Sequence, residues 1–170
     1  NKYSNNFIAE QVLKVIGGEV EGPPATWQKG LRVVERYLRS VGVAPGTYTM
    51  KNGSGLYDAT RFSPAQLVRV LRANFLRFRS GVDFVASLAQ AGVDGTLEHR
   101  FVDSGAERYL RAKTGTLADA VTLSGYAGAS KGKWPLAFSI LINDLPDRRV
   151  KQAREVADAM AGAMVTYLER

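Results

Sequence analysis

Cysteine is absent from this 170-residue chain, and histidine occurs once, at His99. The first absence excludes disulfides, thiolate catalysis and cysteine-ligated metals, and is compatible with either an oxidising or a reducing compartment. With a single imidazole, a histidine-rich metal site is excluded, and a Ser-His-Asp mechanism would have to run through His99. No apolar run approaches the roughly 18 residues that a membrane span needs. Internal repeats and low-complexity segments are lacking as well. The opening, Asn1-Lys2-Tyr3-Ser4-Asn5-Asn6, is too polar for a signal peptide and leads straight into the amphipathic stretch Phe7 to Leu13. That abrupt start leads us to expect that upstream sequence has been removed.

What remains suits one domain of ordinary globular composition, long enough to bury a core. The net charge of +7 favours an anionic partner: nucleic acid, anionic lipid or an anionic polymer. Its basic residues, among them Arg69, Arg72, Arg77, Arg79, Arg148, Arg149 and Lys151, are scattered and not interleaved with a stacking platform. This argues against nucleic acid.

Hydrophobic spacing predicts a helix over 4–16, capped by Ser4 and stopped by Gly17-Gly18, and a second opened by Thr26 with Leu31, Val34, Leu38 and Val41 on one face. Tyr48 to Asp58 is turn-rich. Ser63-Pro64-Ala65-Gln66 is a capping box for a helix to about Phe78, and Asp83 is expected to cap a shorter one. After Gly92 the pattern changes to three strands, 108–114, 121–129 and 134–143, the last two joined at Ser130-Lys131-Gly132-Lys133. Asp147 is expected to cap a final helix presenting Val150, Ala153, Val156, Ala157, Met160, Met164 and Leu168. The fold class is α+β, an antiparallel sheet flanked by helices.

Two short motifs carry chemical interest: Ser4-Asn5-Asn6, and Lys113-Thr114-Gly115 at an expected strand end. Acyl transfer to a serine needs a base, a proton path to the leaving amine and donors aimed at the developing oxyanion. Where histidine is scarce, lysines and hydroxyls must do this work. A lysine crowded by a second cation has a lowered pKa and can hold a neutral amine near pH 7; Lys113 is well placed to be that second cation.

Ser-x-x-Lys, a Ser-x-Asn type motif and Lys-Thr-Gly together mark class A β-lactamases and penicillin-binding proteins, and two of the three are present. The order Ser4 to Glu10, Asn52-Gly53-Ser54-Gly55-Leu56, Ala91-Gly92-Val93-Asp94-Gly95-Thr96-Leu97 and Ala112-Lys113-Thr114-Gly115-Thr116-Leu117 resembles the D-alanyl-D-alanine carboxypeptidase/endopeptidase family typified by penicillin-binding protein 4, the S13 serine peptidases. The resemblance spans nearly the whole chain. It implies a serine carboxypeptidase/endopeptidase that works on peptidoglycan stem peptides outside the cytoplasm, periplasmic or otherwise extracytoplasmic, without a cofactor or metal. It also implies a β-lactamase/transpeptidase-like fold of which residues 1–170 are the C-terminal part, with the N-terminal strands and nucleophile helix absent.

Position by position, the resemblance makes Ser4 and Lys113 catalytic. Ser4 would relay a proton toward the leaving group, and Lys113 would hold Ser4 and supply positive potential. Asn6 would bond the substrate backbone, the Thr114 hydroxyl of the Lys113-Thr114-Gly115 motif would take the terminal carboxylate, and the Thr116 N–H would be an oxyanion donor on a strand edge that pairs with the peptide. The implied partners are peptidoglycan peptides, β-lactams and the missing N-terminal part of the same protein. Nucleic acid is not among them, and peripheral membrane association stays compatible with the charge.

The sequence departs from the family's pattern in three places. Asn52 stands where the middle motif has Asp and takes no catalytic role; Gly53-Ser54-Gly55 and Asp94-Gly95-Thr96 are read as structural turns, and His99 as a polar or partly buried residue. Tyr57-Asp58 replace Ser-Arg. The Ser-x-x-Lys nucleophile motif has one match, Ser130-x-x-Lys133, in an expected hairpin turn where a rigid helix start is needed. We therefore expect the chain alone to be inactive, a cleaved or truncated piece, or one polypeptide of two.

Overall fold

The computed structural model describes residues 1–57, 60–146 and 149–170, so the expected cap at Asp147, together with Asp58 and Arg148, lies outside the described residues. The chain forms two units. One is Asn5–Val70; the other joins Asn1–Ser4 to Leu71–Arg170, and the boundary after Val70 falls inside a helix.

In the unit 5–70, α1 spans Asn6–Glu21 and α2 spans Trp27–Ser40. Asn5, and not Ser4, caps α1: its Oδ1 accepts from the Ile8 N–H at 2.9 Å. Ser4 has φ of +53°, outside the extended backbone a cap residue uses. The expected stop at Gly17-Gly18 does not occur, because packing overrides propensity. A Cβ on Gly17 would lie 2.4 Å from the Gly30 nitrogen of α2, so the glycines are the surface on which the two helices meet, and α1 runs on to Glu21. Thr26 caps α2 as read, its Oγ1 accepting from Lys29 N–H at 3.3 Å. Within the turn-rich stretch β1 (Thr49–Met50) forms, and it pairs with β2 (Thr60–Arg61) just beyond it. Strands of two residues have no period to read. The capping box is reciprocal: Gln66 N–H donates to Ser63 Oγ at 3.3 Å, and Ser63 N–H to Gln66 Oε1 at 2.8 Å.

The helix it opens, α3, covers Pro64–Phe75, and α4 follows at once over Phe78–Ser87. Asp83 therefore lies within α4 and caps nothing. The tight passage between the helices depends on Gly81, where a Cβ would meet the Asn74 and Phe75 carbonyl oxygens at 2.8 Å.

The sheet of the other unit, 1–4 with 71–170, has the antiparallel order β3-β4-β5-β6, with β3 Ala89–Gln90, β4 Leu110–Thr116, β5 Val121–Ala127 and β6 Leu136–Ile142. The three expected strands are present. However, β4 is shifted downstream, which places Lys113 in mid-strand, and β3 is additional. One face carries Leu110, Ala112, Leu123, Ala127, Phe138 and Ile140 and packs with α5 (Val150–Glu169). The buried stripe of α5 is Ala153, Ala157, Ala161 and Val165, whereas Val156 and Met160, expected in the core, are 53% and 47% exposed. Small residues at four-residue spacing let the helix sit close to the strands, and the larger side chains are turned aside. On the opposite face Tyr126 packs with Leu71, Phe75, Phe84, Val85 and Leu88, and its hydroxyl donates to the Leu71 carbonyl at 2.7 Å. Trp134, expected in the hairpin core, is largely exposed and meets Phe75 edge-on.

Candidate active site

Strand alternation puts the side chains of Arg111 and Lys113 on the Tyr126 face, and Ala112 and Thr114 on the face toward α5. Lys113 pairs in register with Ser124, Thr114 with Leu123, Gly115 with Thr122 and Thr116 with Val121. On its other side β4 is covered as far as Ala112, by Gln90 and Ala89 of β3 and by the Ala91 N–H, which donates to the Leu110 carbonyl at 3.0 Å. From Lys113 to Thr116 that edge has no strand partner among the described residues. Gly115 is fixed by sterics, since a Cβ would stand 2.4 Å from Thr122 Oγ1. Thr116 is exposed, and the turn after it closes through Leu117 N–H to the Ala120 carbonyl at 2.9 Å.

Two residues 109 positions apart meet here: Lys113 Nζ donates to Ser4 Oγ at 2.8 Å. Nζ also donates to the Thr114 carbonyl. No ion pair among the described residues engages Lys113, and burial pushes its pKa below the ordinary lysine range. Ser4 is exposed and held in the left-handed backbone region, sparsely populated by residues with a Cβ and frequent at functional positions. A lysine in this state, in contact with a hydroxyl, can either polarise that hydroxyl or exchange a proton with it.

A short 3-10 turn, Gly95–Leu97, borders the pair. Thr114 Oγ1 donates to Thr96 Oγ1 at 2.9 Å, and the Thr96 N–H donates to the Lys2 carbonyl at 3.0 Å. Lys2 is ion-paired with Asp94. Burial raises the Asp94 pKa, but hydrogen bonds from Lys2 and from the Gln90 N–H, with the charges of Lys2 and Arg111, outweigh it and leave the carboxyl below its usual range. Reading the sequence did not single out Lys2, Asp94 or Thr96 for the site. The only available signal is the motif Asp94-Gly95-Thr96-Leu97, which reads as a turn, and no motif marks Lys2.

Of the remaining candidates, Asn6 opens α1 in the unit 5–70, where it is exposed. Asn52 organises its own loop: its Nδ2 donates to the Leu56 carbonyl and its Oδ1 accepts from Gly55 N–H, each at 2.9 Å. Glu10, which sequence reasoning passed over, accepts from the Gly53 and Ser54 N–H groups at 3.2 and 2.9 Å. Burial raises the Glu10 pKa, and these bonds, with those from the Ser54 hydroxyl and the Trp27 indole, bring it below the usual range. His99 is exposed, not partly buried. Ser130 lies in the β5–β6 connection, where its N–H and hydroxyl both donate to the Glu169 carboxylate and Lys131 Nζ reaches the Glu169 carbonyl. Among the described residues no group of three His, Cys, Asp or Glu could hold a metal, and no helix is long and apolar enough to cross a membrane.

This architecture is similar to the transpeptidase-like fold of solved penicillin-binding proteins. Penicillin-binding protein 4 from Haemophilus influenzae superposes with a TM-score of 0.81 at 23% identity, covering 96% of this chain and 38% of that one. The penicillin G-acylated predatory endopeptidase Bd3459 of Bdellovibrio bacteriovorus gives 0.71 at 18% identity, covering 99% and 44%. By sequence, residues 1–166 match the D-Ala-D-Ala carboxypeptidase 3 (S13) family. A D-alanyl-D-alanine carboxypeptidase of Actinomadura sp. is 36% identical over 84% of this chain and 27% of its own length, and penicillin-sensitive carboxypeptidase A of Dictyostelium discoideum is 30% identical over 84% and 28%. The chain belongs to the S13 family of D-Ala-D-Ala carboxypeptidases. It spans under a third of the length of these two relatives.

Proposed function

We propose that the chain supplies the Ser-x-Asn and Lys-Thr-Gly parts of a serine-type D-Ala-D-Ala carboxypeptidase/endopeptidase, as the C-terminal part of a transpeptidase-like catalytic domain. The observation that carries this reading is the contact between Lys113 Nζ and Ser4 Oγ at 2.8 Å, made by a lysine whose burial lowers its pKa. In the reaction a nucleophilic serine gives its proton to its own lysine and adds to the carbonyl of the penultimate D-Ala, the peptide C–N bond breaks, and that proton reaches the leaving amine through Ser4. Water then adds to the ester and releases the serine. Lys113 supplies positive potential at Ser4, and the Thr114 hydroxyl binds the terminal carboxylate. The Thr116 N–H donates to the oxyanion, Asn6 bonds the peptide backbone, and the free edge of β4 at Lys113–Thr116 receives the stem peptide as an added strand.

The nucleophile and its own lysine would come from a part of the protein outside these 170 residues, since Ser130 is occupied by Glu169 on an exposed turn. Substrate and compartment follow together: peptidoglycan peptides and β-lactams, outside the cytoplasm. A second reading, an inactive module that binds stem peptides or a partner protein with the same cleft, is favoured only by the lack of a credible nucleophile between Asn1 and Arg170. Labelled penicillin on the full-length protein separates them. A covalent adduct on the full-length protein, with none on this chain alone, is expected. Binding of stem peptide without any adduct would replace the enzyme with the binding module.

A further inference from the structure

We infer that the Asp94-Gly95-Thr96 turn is the positioning element of this site, fixing the Ser4 hydroxyl against Lys113 with one side and orienting the Thr114 hydroxyl with the other. The inference deepens the reading proposed above and rests on it for its catalytic meaning. The geometry stands apart from it.

Ser4 holds φ of +53°, a backbone state that persists only when the surroundings impose it. Two residues earlier the chain is gripped at both ends of Lys2. Its carbonyl accepts from the Thr96 N–H at 3.0 Å, and its ammonium group lies on Asp94 Oδ2. The other oxygen of Asp94 accepts from the Gln90 N–H at 2.9 Å. Gln90 belongs to β3, which pairs with β4 at Arg111 and Ala112, the residues immediately before Lys113. A closed circuit therefore runs from Lys113 through Ser4 to Lys2, across to Asp94 and β3, and back to β4. Gly95 makes the approach feasible, because at φ of +59° a Cβ would lie 2.5 Å from the Lys2 carbonyl oxygen.

Thr96 faces both ways. Its backbone holds Lys2, while its hydroxyl meets Thr114 Oγ1 at 2.9 Å in a partly buried pair. A hydroxyl donates one hydrogen bond and accepts two, so the pair can reverse its direction. With Thr96 as donor, the Thr114 proton is released for an anionic oxygen beside β4. Asp94 and Thr96 are positioning residues, since each acts through Ser4 or Thr114.

The test uses the full-length protein with Asp94→Asn, Thr96→Val and Thr96→Ser, and the charge-swapped pair Lys2→Asp with Asp94→Lys. The readouts are the acylation rate with labelled penicillin, kcat and KM for a stem peptide ending in D-Ala-D-Ala, and amide exchange over residues 2–4. Asp94→Asn is expected to slow acylation about tenfold and to speed exchange over 2–4, and the swapped pair to recover part of both. Thr96→Val is expected to raise KM about tenfold with kcat nearly unchanged, and Thr96→Ser to restore it. Unchanged acylation and exchange in Asp94→Asn overturn the inference for Ser4. A Thr96→Ser protein as impaired as Thr96→Val overturns it for Thr114, because packing and not the hydroxyl would then be at work. If the wild-type protein takes no label, the enzyme reading fails on its own, and faster exchange in Asp94→Asn still supports the positioning role.

Discussion

Two glycine-bearing turns of this chain are each held by a carboxylate, and they differ in what the carboxylate grips. Glu10 binds the Gly53 and Ser54 N–H groups, and Asn52 closes the same loop on itself, so every bond ends inside the unit 5–70. Asp94 binds a backbone N–H of β3 and the ammonium group of Lys2, two residues from Ser4. The first turn is a closed structural knot. The second passes its order on to a lysine and two hydroxyls. A glycine motif is thus no guide to function until one knows where its bonds lead.

The largest effect expected is from removing what the second turn serves. Lys113→Ala should lower turnover and penicillin acylation of the full-length protein by about a thousandfold, with a near-wild-type melting temperature; unchanged activity would remove Lys113 from the site. The same lysine sets a pH signature. Its positive charge is present below its folded pKa and lost as pH rises through it. Because burial lowers that pKa, the alkaline limb of kcat/KM should fall below the pH of an ordinary lysine and vanish in Lys113→Ala. A limb that survives the substitution belongs to another group.

The comparison sharpens with matched glycine substitutions. In Gly95→Ala the added Cβ meets the Lys2 carbonyl oxygen at 2.5 Å, and in Gly53→Ala it meets the Ala9 carbonyl oxygen at 2.6 Å. Both are backbone collisions, for which overpacking costs about 1–3 kcal/mol. Gly95→Ala should lose most acylation as well as stability. Gly53→Ala should lose stability alone, read as a lower denaturant midpoint at an unchanged specific activity of the folded fraction. Equal activity losses in the two would erase the distinction.

Glu10→Gln should cost about 1–2 kcal/mol, the range of a charge-assisted hydrogen bond reduced to a neutral one. The folded-state pKa of Glu10 lies below its unfolded value, so its stabilisation is present above the unfolded pKa and is lost as pH falls through the folded one. The wild-type melting temperature should therefore drop more steeply in acid than that of Glu10→Gln, and parallel curves would mean that Glu10 does not hold the loop. Smallest of all, Ser130→Ala and Lys133→Met should leave acylation unchanged and shift stability within about 0.5 kcal/mol. Loss of acylation in either would make the turn at 130–133 the missing nucleophile.

How much of this was legible in the sequence differed by residue. The capping box at Ser63 and Gln66, the cap at Thr26 and the antiparallel run of strands were readable because each rests on contacts a few residues apart or on alternation along one strand. Errors arose where a distant neighbour decides. Gly17 reads as a stop until Gly30 of α2 is known to lie against it, and Gly18 until Ala25 is; Val156 and Met160 read as core until the alanines of α5 are seen to seat the helix instead.

The motif set, the family and the α+β class can be read without coordinates, since they rest on local spacing and on the order of short motifs. It takes the folded chain to show that Ser4 stands outside α1 and meets Lys113, that Lys113 is a half-buried lysine in mid-strand, and that Lys2, Asp94 and Thr96 surround them. These relations join residues from 18 to 109 positions apart. They depend on strand register and on one strained backbone angle, neither of which leaves a periodic trace along the chain.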